Sequence, residues 1–134
     1  MKNRRNFLGV VAALLSGLRA KAQAAPRGLV KELARHELTG PEAGREAILV
    51  EVTALAGRPS TIHRHPGFVL GYVLDGEMLF AVNGEKPSVV KTGGTFFEPL
   101  AVLHTTGASA EPNAPVRFLA FIVAPKGSPV TLPA

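Results

Sequence analysis

The chain has 134 residues, no cysteine and a formal net charge of +5. Without cysteine it can form no disulfide, offer no thiolate ligand and use no thiol nucleophile. Five of its 15 bases and none of its 10 acids fall in residues 1–24, so the remainder is balanced in charge and carries no electrostatic footprint for nucleic acid.

Residues 1–24 read separately from the rest. The first five are short and basic, residues 10–18 are apolar but too short to cross a bilayer, and Ala22-Gln23-Ala24 fits a small-x-small cleavage pattern. Asn3-Arg4-Arg5-Asn6-Phe7-Leu8 resembles the twin-arginine export signal. Residues 1–24 are therefore expected to be a signal peptide. Residues 25–134 are expected to be one domain, exported to the periplasm or secreted, with no membrane association once the signal is removed.

From residue 28 onward, Gly and Pro recur too often for long helices, and apolar residues alternate with period 2. Strands are expected over 30–38, 45–55, 68–74, 78–82, 88–91, 95–97, 102–106 and 116–123. The first of these would also suit a helix, given Lys31, Glu32 and Arg35. Asp75-Gly76 and Asn83-Gly84 are hairpin signals, because the favoured two-residue turns need positive φ. Gly93-Gly94 marks another corner. The proline-rich tail from Pro125 to Ala134 is expected to run over the surface or across a partner subunit. Many short antiparallel strands joined by turns imply an all-β sandwich or barrel.

His63-Arg64-His65 carries the chemistry. Residues i and i+2 of a strand face the same way, so both imidazoles can point at one place, and His104 from a distant strand can join them. Three converging imidazole nitrogens suit a divalent transition metal and leave coordination positions open. Arg64, between the pair, should face away. His36 reads as a surface or interface residue. There is no phosphate-binding loop, no Gly-x-Ser-x-Gly elbow and no assignable pair of glycosidase acids.

Gly57, His63, His65 and Gly76, with Tyr72-Val73-Leu74-Asp75-Gly76 as closing phrase, resemble the first cupin motif. Gly94, Pro99 and His104 resemble the second. The chain thus looks like a small single-domain cupin over about residues 45–123. The resemblance implies a jelly-roll barrel of short antiparallel strands, metal held by His63, His65 and His104, and assembly as a homodimer. Two departures stand out. The glutamate of the first motif is missing, its position falling at Val69, and the glycine two residues after Pro99 is Ala101. Glu98 is the one acid near the second motif. A solvated side chain ahead of Pro99 is the first expectation for it, and an inward fourth ligand the other.

Phe68 and Tyr72 are expected to line the pocket, with the remaining phenylalanines mostly in the core. Two functions stay open. One is a metal-dependent enzyme on a small organic molecule, such as a dioxygenase or isomerase. The other is a non-catalytic ligand-binding or sensing domain. Iron or manganese is the expected metal, since a twin-arginine substrate folds before export and can trap a weaker binder, whereas zinc, nickel or copper would follow from affinity alone.

Overall fold

The computed structural model describes residues 28–134. The expected signal peptide, and the start of the domain at residue 25, lie outside the described residues. The strands are β1 (Gly28–Glu37), β2 (Arg45–Ala54), β3 (His63–Arg64), β4 (Phe68–Asp75), β5 (Glu77–Val82), β6 (Ser88–Lys91), β7 (Thr95–Glu98), β8 (His104–Ser109), β9 (Val116–Pro125) and β10 (Leu132–Pro133). A single 3-10 turn at Gly40–Glu42 joins β1 to β2.

They form two five-stranded antiparallel sheets, in the orders β1-β2-β9-β4-β7 and β10-β3-β8-β5-β6. Alternation explains why the sheets close on one another. Ile48 and Val50 on β2, Val69 and Val73 on β4, and Val116, Phe118, Ala120 and Ile122 on β9 are buried. They share the inner face of the first sheet and pack against Met78 of the second. The outer face of the same strands carries Leu70, Tyr72 and Phe121, all exposed. Each full burial of such an aliphatic side chain contributes roughly 1.5–3 kcal/mol, so the alternation largely determines the fold.

Eight of the strands fall where the alternation placed them, with ends shifted by a few residues. The stretch 30–38, which also suited a helix, falls in the edge strand β1, Gly28–Glu37. Arg35 ties it to β2 by an ion pair with Glu46 at 2.6 Å, and also pairs with Glu32 of its own strand at 2.9 Å. The Asn83-Gly84 turn is a hairpin tip. Both residues have positive φ (51° and 74°), and the Glu85 N–H donates to the Val82 carbonyl at 2.9 Å.

Asp75-Gly76 corrects the hairpin expectation. Gly76 does adopt positive φ (84°), but β4 pairs with β7 and β9, never with β5. The turn passes the chain from one sheet to the other. A Cβ at Gly76 would lie 2.8 Å from the Pro115 carbonyl oxygen, so the corner is closed to side chains.

The tail runs over the surface, as expected, and is pinned there by two contacts. Leu132 and Pro133 pair with Arg64 and His63 as β10, and Val130 packs against the core.

Candidate metal centre

The two sheets enclose a cavity of ≈ 420 Å³. Val50, Val52, Phe96, Phe118 and Ala120 line it from the first sheet, while His63, His104 and Gly107 line it from the second. His65, just past the end of β3, and Glu98, the last residue of β7, add to the polar part of the wall. His63 and His104 are paired residues of β3 and β8. The fold therefore unites the three histidines that the sequence pattern singled out. Their ring centroids lie 4.8 Å (His63–His65), 4.9 Å (His63–His104) and 6.1 Å (His65–His104) apart.

Backbone carbonyls fix the tautomer of each ring. His63 donates from Nδ1–H to the Thr61 carbonyl at 2.7 Å, and His65 from Nδ1–H to the Val130 carbonyl at 2.7 Å. His104 donates from Nε2–H to the Thr106 carbonyl at 2.9 Å. A carbonyl oxygen can only accept, so the proton of each neutral ring sits on the outward nitrogen and the inward nitrogen carries a lone pair. The inward atoms are His63 Nε2, His65 Nε2 and His104 Nδ1. The two Nε2 atoms stand 3.1 Å apart, and His104 Nδ1 is buried without a hydrogen-bond partner.

Converging lone pairs without a donor between them repel one another unless a cation sits among them. Ligand atoms of the three rings lie within 4.8 Å of one another, a grouping that can hold a metal ion. Burial pushes the pKa of both His65 and His104 down to about 4, with a smaller downward push from His63. Both are therefore neutral near pH 7, the state a metal requires.

Glu98 is 2% exposed, which overturns the expectation that it is solvated. It shares the parity of buried Phe96 on β7 and so turns inward. Its Oε1 lies 3.3 Å from His104 Nδ1 and its Oε2 3.7 Å from His65 Nε2. Burial pushes its pKa up to about 7. Glu46, another buried acid, is neutralised quite differently, by Arg35 and the Gly127 N–H. No lysine or arginine pairs with Glu98 among the described residues.

The remaining candidates separate. Phe68 and Tyr72 do not line the cavity, which corrects the pocket expectation. They share the outward parity of Leu70. Phe68 instead packs on Phe97 with ring centroids 6.1 Å apart, and Tyr72 is 46% exposed. Phe96 and Phe118 supply the aromatic wall in their place, and Phe80 lies 5.5 Å from the His104 ring, centroid to centroid. Arg64 faces away as expected and donates to the Ala101 carbonyl. His36 lies exposed on β1.

Two features escaped sequence reasoning. Carbonyls of Thr61, Thr106 and Val130 orient the rings, and backbone groups leave no side-chain signal. Gly107 leaves the room the His104 ring fills, because a Cβ there would stand 2.7 Å from its Cε1. Ala101 occupies the left-handed region (φ 67°), which explains why the motif has glycine at that place.

The family model described as "Cupin domain" matches residues 50–122. No curated protein matches significantly in sequence. Among solved structures, a protein of Klebsiella pneumoniae with a double-stranded beta-helix domain superposes with TM-score 0.63 at 18% identity, over 84% of this chain and 89% of its own. The DMSP lyase DddQ of Ruegeria pomeroyi gives 0.63 at 22% identity, over 87% of this chain and 56% of the lyase. The hydroxypropylphosphonic acid epoxidase of S. wedmorenis gives 0.52 at 21% identity, over 57% of this chain and 42% of the epoxidase.

Proposed function

The chain belongs to the cupin family, and from that premise we propose that it is an exported cupin holding one divalent metal with His63, His65 and His104 to act on a small organic molecule. The observation that carries the reading is the set of three inward lone-pair nitrogens on the wall of a largely apolar cavity. The metal, when bound, supplies Lewis acidity or dioxygen activation. The chain's own residues do the rest. Phe96, Phe118, Val50 and Ala120 exclude water and favour an apolar or aromatic group, while the hydroxyl-bearing Ser60, Thr61 and Thr131 offer polar contacts to a ligand. Among the described residues, Glu98 is the one carboxylate on the cavity wall.

A second reading is a non-catalytic binding or sensing domain in the same pocket. It is favoured by the scarcity of acid–base groups on the wall, which leaves turnover dependent on Glu98 and the metal. The DMSP lyase and the epoxidase use this fold for enzymes, yet the fold does not select between the readings. Supplying Fe(II) and oxygen to the purified protein with diphenols, diketones and thiols separates them. Product formation that disappears in His104→Ala supports the enzyme. Saturable ligand binding with no turnover across the panel supports the sensor.

Export and metal identity belong to the same proposal. Arg4-Arg5 followed by Phe7-Leu8 supports twin-arginine export of a folded barrel, with iron or manganese acquired beforehand. Arg4→Lys with Arg5→Lys should keep the protein in the cytoplasm, and normal export of that variant would remove the premise. A homodimer is the proposed assembly. Leu70, Tyr72, Phe97 and Phe121 form an exposed apolar outer face that a second copy would cover, and a monomer in sedimentation experiments would refute it.

A further inference from the structure

We propose that Glu98 is the fourth metal ligand and that it replaces, from the neighbouring strand, the carboxylate missing at Val69. This rests on the metal reading of the three histidines and deepens it. Val69 on β4 and Glu98 on β7 are directly paired residues of an antiparallel ladder. Paired residues share a face, with Cβ atoms roughly 4.5–5.5 Å apart. A carboxylate lost from one can thus be restored from the other without leaving the cavity wall. Val69 is fully buried on that face, and Glu98 beside it is 2% exposed.

The contacts point the same way. Glu98 places one oxygen 3.3 Å from His104 Nδ1 and the other 3.7 Å from His65 Nε2, the lone-pair nitrogens of those two rings. A buried carboxylate with no cation partner is costly. When ionised, it faces lone pairs, which are acceptors like itself, and a cation between them would satisfy all four groups. With Glu98 as ligand, the centre changes from three neutral donors to three neutral donors and one anion. That lowers the net charge of a divalent site from 2+ to 1+ and tightens its hold on hard ions such as manganese and iron.

The test is titration of the purified metal-free protein with Mn(II) and Co(II), in wild type and Glu98→Gln, with infrared difference spectra recorded on metal addition. Gln is nearly isosteric, and circular dichroism confirms that the variant is folded. The expected result is at least a tenfold weaker affinity in Glu98→Gln. Metal addition should also shift a carboxylate stretching band in wild type that the variant lacks. Equal affinities would overturn the inference while leaving the histidine centre intact. Weakened affinity without the wild-type carboxylate band would make Glu98 a positioning residue for His104, and would also overturn it. Failure of the wild type to bind either metal would sink the histidine centre itself, and this inference with it.

Discussion

At the scale of single residues, the metal-free centre is a set of groups held in their neutral forms, and this has a pH signature. Glu98 keeps its proton up to about pH 7 in the folded state but loses it near 4.5 when unfolded. Its contribution to stability is therefore full below pH 4.5 and lost as pH rises through 7. His65 and His104 act in the opposite sense. Their folded pKa values, down to about 4 from 6.5, make their contribution full above 6.5 and lost as pH falls through 4. The metal-free barrel should be most stable at about pH 6.5. Glu98→Gln removes the alkaline loss, so it should stabilise the metal-free protein at pH 8 by about 2 kcal/mol, and by much less at pH 5. Urea unfolding at the two pH values measures this, and a difference independent of pH would contradict it. The residue that weakens the empty barrel is then the one that strengthens the loaded one, a trade expected of a functional site.

At the scale of elements, the short tail strand does more than close the barrel. It brings the Val130 carbonyl to His65 Nδ1–H at 2.7 Å and pairs β10 with β3, which carries His63. Ending the chain after Pro129 should leave a folded barrel, since Val130 is one of several partly buried residues around the core. It should weaken metal binding about 10–100-fold, the usual effect of removing the group that orients a ligand histidine. Co(II) titration of the truncated protein checks this, and unchanged affinity would show that β10 has no part in the centre.

The elements also show what was legible beforehand. Strands β2, β4 and β9 were readable because each packs one face, so burial imposes period 2 on the sequence. The inward turn of Glu98 was written in its parity with Phe96, and the outward turn of Phe68 and Tyr72 in their parity with Leu70. Residue type outweighed parity in both expectations, and parity was the better guide. The Asp75-Gly76 signal correctly announced positive φ, but a local dihedral cannot say which strands flank it. The role of Val130 had no trace, because it acts through its backbone from 65 positions away.

At the scale of the whole molecule, the jelly roll works as a clamp. Strands of both sheets converge so that β3, β7, β8 and the tail set the polar groups, while β2 and β9 supply an apolar wall. His65 is aimed from afar, by the Val130 carbonyl of the tail, whereas Thr106 holds His104 within β8 and Thr61 holds His63 from just before β3. Each ring is held by a carbonyl, and the inward Nδ1 of His104 is buried without a hydrogen-bond partner. The central claim is that this arrangement exists to hold one divalent ion. Its most direct test is the metal content of the purified protein beside folded His63→Ala and His104→Ala variants, loaded with the same divalent metal and desalted. The account predicts about one ion per chain in the wild type and almost none in either variant. Equal content in all three would contradict it.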